Sequence, residues 1–583
     1  MRVLVVHPED ELQTEPWGSL RWDRVIDFGK AGEESDAEAA ARFGCRISRL
    51  DEFRSHFQEM CRVRELLALG MGRLNDSLGL DWWGLTSILI HQQLELAFLL
   101  GMLANTIQLR DEVHVTRPGF HADALRLALG SRVYTFAAST NNSKRSAGHY
   151  VRMLKKFPVP QLLEFFWDKT DPGYQFRGVF RRHTRCSTPV VLLPSSYINV
   201  SRAAINYAES LPDMRFLLVA TRRSGWIENR PPNVSGRWLS QYASLNAPSR
   251  KLEYQDLVQR WELVRSELKT VPEVRTLDVL GCFDEFPLRF ARGLEIRDAW
   301  RNVFTFESVQ AVICADDTNP YTHLPLLLAV QKKLPTISCH HGALDGRYMF
   351  KRNHADVLLA KGKMEEDYLV RLCRIRPEAV EIGAPTLCEK VQRGAGGREK
   401  RSIVFFSEAY EVAGGRARGF YRDTLPPLAN LALSEHRELI IKLHPSESVS
   451  DRTRLVRETL NSTQQRVVRV VGGPLQQGLL DQAWCGVTVM STVVIECALQ
   501  QIPCFLCAWL ESWPYGYCDQ FARFEVGIRL REPAEIQKIP AILQGYHPSS
   551  AIRQNCWTPI PSQRLQALLG LGRHQPTIVG ARD

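Results

Sequence analysis

The sequence predicts an α/β protein: two doubly wound parallel sheets facing each other across a cleft, with a helical elaboration near the N-terminus. Three observations carry this. From Glu112 onward short apolar runs alternate with amphipathic segments, the rhythm of βαβ units with helices on both faces of a sheet. The rhythm breaks at Arg393-Gly394-Ala395-Gly396-Gly397-Arg398 and then resumes; that stretch is glycine-rich, charged and without apolar anchors, as a linker should be. And 583 residues are too many for one hydrophobic core.

Met1 to Val6 reads as a strand. Leu50 to Leu78 and Trp83 to Leu109 carry apolar residues at three- and four-residue intervals, which predicts helices and a helical insertion over about 45–110. Val113 to Thr116, Arg132 to Phe136, Pro189 to Leu193 and Met214 to Thr221 read as strands, with helices at Ala122 to Leu129 and Ser201 to Ser210. Ser143 to Arg182 is basic and aromatic without a period and reads as an insertion over the sheet. A second series runs through strands Ala311 to Ala315, Pro335 to Cys339, Asp356 to Ala360 and Val380 to Ile382, with a helix at Leu324 to Lys332. After the linker come strands Ile403 to Phe406, Leu439 to Leu443, Val467 to Val471, Val487 to Met490 and Pro503 to Leu506. The helices between them are Gly419 to Ser434, Val449 to Asn461, Leu475 to Trp484 and Thr492 to Gln500. The expected organisation is an acceptor-side domain over 1–390, a linker over 391–401, a nucleotide-donor domain over 402–545 and a helical tail over 546–583.

Hydrophobic residues at 44% and charged residues at 24% are ordinary for a globular protein. The net charge of +10 suits an acidic substrate, a nucleotide or an anionic membrane face, or simply a basic solvated surface. Fourteen cysteines follow no even framework and read as reduced thiols. Cys504 and Cys507 sit in an apolar run with no second pair at zinc-ribbon spacing, so they read as core residues, not metal ligands. The N-terminus has no basic, apolar leader. Glu95 and His91-Gln92-Gln93 divide the apolar stretch Trp82 to Leu109 into pieces too short to span a bilayer.

The chemistry-bearing residues cluster at strand ends. Lys442-Leu443-His444-Pro445 closes an apolar run, and Ser491-Thr492 closes another, with Glu496 one helical turn on. His444 can give a hydrogen bond or a proton to a leaving phosphate, since imidazole changes charge near neutrality. Pro445 ends the strand, and Lys442 shares the strand face of His444; the plain alternative is a solvated Lys and a capping His. Ser491 and Thr492 are natural N-cap residues, and free N–H groups at a first helical turn also favour an anion. Glu496 either faces the same cleft or complements the helix dipole. Glu408 follows the first strand of the second half, ahead of Gly414-Gly415-Arg416-Ala417-Arg418, a surface loop or an anion clamp. His340-His341-Gly342 ends another strand, with Asp345 close behind; either could cap a turn or take a proton. Asp316-Asp317 lacks a third carboxylate nearby and reads as loop capping, not as a metal site.

His-Gly after a strand, a glycine-rich linker, Lys-x-His-Pro, then Ser-Thr with a following Glu resembles the GT-B glycosyltransferases of bacterial surface polysaccharides, built from two Rossmann-like domains. The pattern is similar to the polysialyltransferase and sialyltransferase group, the capsule Kdo transferases and the teichoic-acid glycerophosphotransferases, over roughly Ala311 to Cys507. The resemblance implies a nucleotide-activated sugar as donor, a CMP-linked acidic sugar above all, and a glycan or glycolipid acceptor. It implies donor contacts from Lys442, His444, Pro445, Ser491, Thr492, Glu496 and Glu408, with Glu496 on the ribose hydroxyls. His341 is the match for a His-Gly that acts on the acceptor hydroxyl; Asp345 is the carboxylate alternative. The sialyltransferases' acidic signature is not clearly present, which leaves the base open between these two. No cofactor and no metal are implied.

Two other enzyme readings stay open: transfer of a polyol phosphate from a CDP carrier, and a UDP-sugar 2-epimerase of the same two-domain build. The long region before Ala311 weighs against the epimerase. A non-catalytic nucleotide-binding scaffold fits least, given His341, Asp345 and His444 at strand ends. Nucleic-acid binding has only net charge behind it. The expected setting is the cytoplasm, with peripheral contact at the inner face of the membrane allowed.

Overall fold

The computed structural model describes residues 1–7, 10, 16–28, 40–49, 56–136, 184–243, 248–316, 319–340, 342, 355–386, 401–408, 417–444, 447–489, 491–510 and 517–570. The linker 391–400, Ser143 to Arg182, His341, Asp345 and Pro445 lie outside them.

Among the described residues there are three sheets, and every strand pair within them is parallel. The first comprises β1 (Arg2–Val6), β2 (Arg24–Asp27), β3 (Ile47–Arg49), β4 (Glu112–Val115) and β5 (Val133–Thr135), ordered β3-β2-β1-β4-β5. The second comprises β6 (Pro189–Ser195), β7 (Phe216–Ala220), β8 (Val234–Trp238), β9 (Ser308–Cys314), β10 (Thr336–Ser338), β11 (Val357–Ala360) and β12 (Val380–Ile382), ordered β12-β11-β10-β9-β6-β7-β8. The third comprises β13 (Ser402–Phe406), β14 (Glu438–Lys442), β15 (Val468–Val471), β16 (Ala483–Thr488), β17 (Cys504–Cys507) and β18 (Ile528–Leu530), ordered β15-β14-β13-β16-β17-β18.

Continuous apolar runs such as Ile403 to Phe406 and Val191 to Leu193 are buried, because a parallel strand with helices on both faces has no solvent side. The second and third sheets are the two doubly wound domains expected. The first sheet is a third such unit; its β1, β4 and β5 are the strands read at Met1 to Val6, Val113 to Thr116 and Arg132 to Phe136, which the sequence had set in one acceptor-side domain with a helical insertion. Its β2 and β3 hold too few apolar residues (Val25 and Ile26; Ile47) to mark a run. The edge strands β8 and β18 were hidden likewise, with only Val234 and Leu530 buried. Helix Gln477–Asp481 is only five residues, and β16 begins at Ala483, where the pattern had suggested helix to Trp484.

Between β8 and β9 the chain makes the helices Pro248–Leu268, Pro272–Val279 and Phe286–Phe306. They pack on the run Trp82–Ser87, Ile88–Ile90 and His91–Ala104 through Trp82, Trp83, Trp261 and Phe286; Trp83 stacks on Trp261 with centroids 6.0 Å apart. That run is 23 residues long and apolar enough to cross a membrane by length and composition, yet 61% of its most apolar window is buried inside the protein. Arg297, 2% exposed, joins this layer by hydrogen bonds to Asp76, Glu253 and Asp298, which hold its charge in place where burial alone would disfavour it. Cys504 and Cys507 are buried in β17; a hydrogen bond with Cys497 and then burial push the Cys504 thiol up, and burial does the same to Cys507.

The tail returns to the second sheet. Thr558 N–H donates to the Lys361 carbonyl (2.7 Å), Ala384 N–H to Thr558 (2.8 Å) and Ile560 N–H to Ala384 (2.9 Å). Ile560, Leu565 and Leu569 then join the core beneath β6. Gly362 permits this crossing, since a Cβ there would clash with the Asn555 carbonyl. Gly362→Ala is therefore expected to cost about 1–3 kcal/mol by overpacking, seen as a lower melting temperature and earlier tryptic release of the tail; wild-type melting and protection would refute the tight crossing.

Candidate active site

In the third sheet the chain winds from β13 through β14 to β15, then returns to β16 on the other side of β13. Helices leaving β13 and β16 must take opposite faces, which opens a crevice at their carboxyl ends. Glu408 follows β13, and its Oε1 accepts a 3.1 Å hydrogen bond from Thr488 Oγ1 at the end of β16. Ser491 and Thr492 come next. Ser491 Oγ accepts from Val493 N–H at 3.4 Å, whereas Thr492 occupies the N-cap position without a side-chain capping bond. The helix that follows, Val493–Leu499, is only seven residues.

His444 leaves β14 on the other side of β13. Two interstrand steps, roughly 10 Å, separate it from the β16 end, so His444 and the hydroxyl pair follow strands on either side of β13 at the same edge of the sheet. His444 is exposed, but the protein crowding it lowers its pKa; Glu447 works against that shift and Lys442 with it. The imidazole is neutral at neutral pH, suited to donating a hydrogen bond.

Lys442 is 5% exposed. Its ammonium donates to the carbonyls of Leu443 and Gly473, both at 2.6 Å, and burial lowers its pKa. The ammonium thus braces the loop ends beside His444. Sequence reading overlooked Glu447. Its carboxylate accepts from Ser407 Oγ (2.9 Å), His444 N–H (2.7 Å) and Arg452 Nε (2.7 Å), tying β13, the turn after β14 and helix Val449–Thr459 together. The one available signal was a Glu two residues beyond His-Pro, ahead of the helix cap Ser448. Arg418 falls in the first turn of helix Ala417–Ser434, not in a loop, and pairs with Glu458 at 2.9 Å on the surface; 409–416 lie outside the described residues.

Across from this crevice, the second sheet presents His340 after β10 and Lys361 after β11. His340 Nδ1 accepts from Gly342 N–H at 3.3 Å. Lys361 Nζ donates to the Gly342 carbonyl (2.8 Å) and to Glu365 Oε1 (3.1 Å). A cavity of about 230 Å³ separates these residues from Thr492, Ile495 and Glu496. The helix Ile198–Glu209 and Trp557 complete its walls.

Glu496 reaches solvent in the cavity, yet the surrounding protein raises its pKa; Lys361, from the other domain, opposes that rise. Thr492 and Glu496 therefore stand together on the interdomain cleft, whereas Glu408, Ser491 and His444 follow the carboxyl ends of β13, β16 and β14 and do not line the cavity. It is His340, not chosen from sequence, that lines the cavity; His341 and Asp345 lie outside the described residues. Asn199, Arg202 and Asn206 were also missed, because only the packing of their helix shows which face meets the cleft. Asp316 is buried, and its carbonyl accepts from Thr322 Oγ1, while Asn319 caps helix Pro320–Gln331 through Tyr321 N–H at 2.9 Å. The cap is thus Asn319, where the sequence had suggested Asp316 and Asp317; Asp317 lies outside the described residues. Among the described residues no group of three or more His, Cys, Asp and Glu side chains is placed to hold a metal.

No protein-family model and no curated protein matches the chain. Among solved structures, the UDP-GlcNAc 2-epimerase from Methanocaldococcus jannaschii aligns over 66% of this chain and 100% of its own, at 10% identity and a TM-score of 0.41. MurG from Acinetobacter baumannii aligns over 66% and 99%, at 11% identity and 0.38. A glycosyltransferase from Rickettsia africae aligns over 67% and 94%, at 10% identity and 0.39. Likeness at that level identifies neither substrate nor reaction.

Because Glu447 is the group that opposes the fall in the His444 pKa, Glu447→Gln is expected to lower it further. Histidine NMR titration should place the wild-type transition below 6.5 and the variant's lower still; an upward move would overturn this electrostatic account.

Proposed function

We propose that this chain is a glycosyltransferase that moves a sugar from a nucleotide-activated donor to a glycan or glycolipid acceptor, inverting and without a metal. The observation that carries this reading is the cavity lined by His340 and Lys361 from one doubly wound domain and by Thr492 and Glu496 from the other. Ligands of doubly wound sheets bind outside the strands' carboxyl ends, and here two such edges meet.

The donor lies along the crevice of the third sheet, with Glu496 and Glu408 toward its ribose and hydroxyls. Ser491, Thr492 and the neutral His444 donate hydrogen bonds to the leaving phosphate, and Lys442 with Pro445 fixes the direction of His444. The acceptor oxygen forms its bond to the anomeric carbon as the bond to phosphate oxygen breaks, and the electron pair leaves with the nucleotide. His341 or Asp345, chain neighbours of the cleft residues His340 and Gly342, takes the acceptor proton. The favoured donor is a CMP-linked acidic sugar such as Kdo or sialic acid. Arg202 supports this, as it lines the cavity and has no carboxylate partner among the described residues, so a sugar carboxylate would complete it. Contact with the inner face of the membrane, in the cytoplasm, would bring a lipid-linked acceptor to the cleft.

His444→Ala is expected to lower transfer by at least about 100-fold with an unchanged melting temperature; full activity would remove the assignment. In a thermal-shift series, CMP or CDP should stabilise the protein by about 2.7 kcal/mol at a hundred times its dissociation constant. CDP release with polyol-phosphate transfer would assign the phosphotransferase instead. A response to UDP alone, with UDP-sugars interconverted and no nucleotide released, would assign the epimerase. Binding without turnover would leave a scaffold.

A further inference from the structure

The carboxyl edge of the second sheet carries a second cluster that the cleft does not use. Around the ends of β7 and β8 stand Arg222, Arg223, Arg230, Arg237 and, from helix Phe286–Phe306, Arg292. None of the five pairs with a carboxylate among the described residues. The chain from 221 to 238 holds four arginines and one acid, Glu228, which is exposed.

Aromatic rings hold three of these cations in place of acids. Arg222 lies over the Tyr321 ring at 5.1 Å and Arg292 over the same ring at 5.7 Å. Trp226 stacks on Trp238 with centroids 4.5 Å apart and planes 12° from parallel, and Arg230 covers Trp226 at 4.4 Å. Arg230 also donates to the Ile227 carbonyl. The buried Nε atoms of Arg222 and Arg230 have no hydrogen-bond partner. A guanidinium held by a ring keeps its full charge and its bidentate donor fork. Several such charges left uncompensated on one edge make a receptor for a ligand with more than one anionic group.

The cluster adjoins the cleft. Ser201 Oγ donates to Gly225 O at 2.6 Å and Ser224 Oγ to Ser196 O at 3.1 Å, so the arginine loop is clamped to the start of helix Ile198–Glu209. That helix carries Arg202 into the cavity.

We propose that this edge is a docking track for an anionic sugar chain, the acceptor, whose repeated carboxylates or phosphates are read by Arg222, Arg223, Arg230 and Arg292 while its end enters the cleft. The identification of the chain as acceptor rests on the transferase reading; the binding itself does not. Single-stranded nucleic acid fits less well, because sequence-tolerant binding of bases needs free aromatic faces. Here Trp226 is already covered on both sides, by Trp238 and Arg230, and both cations of the Tyr321 site lie over its ring.

The test is fluorescence anisotropy with labelled hexagalacturonate (carboxylates), a short poly(glycerol phosphate) (phosphates), maltohexaose (neutral) and an oligothymidylate. One or both anionic sugar chains should bind, more weakly as salt rises, and maltohexaose should not. Which one binds tells carboxylate from phosphate acceptors. Arg222→Gln with Arg292→Gln should weaken that binding by about tenfold or more, and exposed Arg223→Gln guards against misfolding by weakening it in a protein with wild-type melting. The CMP or CDP thermal shift should be unchanged in every variant, so loss of the track is separable from loss of the donor site. Binding indifferent to these substitutions, equal binding of maltohexaose, no binding of either anionic chain, or tighter binding of oligothymidylate would each overturn the proposal.

Discussion

Lys361 is the point on which the cleft depends. Its ammonium bonds Glu365 and the Gly342 carbonyl, its N–H donates to Glu365 Oε2 at 2.7 Å, and its carbonyl receives Thr558 N–H from the tail. One residue at the end of β11 thus fixes the loop behind His340, the first turn of helix Lys363–Asp367 and the returning tail. It is only 8% exposed, and burying that cation is tolerable because every bond it makes is short and Glu365 balances its charge. Its positive field reaches Glu496 on the opposite domain, so the residue that holds one wall together also sets the charge balance of the other.

Around this point the architecture follows from parallel strands. Each sheet sends its crossing loops to one edge, and each winding reversal leaves a crevice there. The second and third sheets turn those edges toward each other, and the tail crosses from one to the other, with Trp557 Nε1 donating to Pro385 O at 3.0 Å. A substrate held between them touches two rigid cores at once, the setting in which positioned donors act on developing charge most effectively.

The third-sheet side is organised by acids that do not face the cavity. Glu447 gathers Ser407, His444 and Arg452 and fixes the turn from which the imidazole projects, while Lys442 braces the same turn from inside. The arginine edge beyond helix Ile198–Glu209 follows the opposite rule: Arg222, Arg230 and Arg292 rest on rings, so their charge stays available. Neutralised charges build the cleft, and uncompensated ones mark where an anion would come.

The sequence alone determined the doubly wound class, because strands buried on both faces must be apolar throughout, as Ile403 to Phe406 and Leu439 to Ile441 are. It also marked Ser491, Thr492, Glu408 and His444 as strand-end residues, since polar groups following such runs have only the carboxyl edge to occupy. It did not show the first sheet as a separate unit, because β2 and β3 hold only Val25, Ile26 and Ile47 as apolar residues and mark no run. Only the tertiary structure decided that Glu496 faces Lys361, that Lys442 braces a turn, and that Glu447 organises it. Those roles depend on which strands become neighbours and how two domains meet, and contacts between residues as far apart as Ser407 and Glu447, or Lys361 and Glu496, leave no local spacing in the chain.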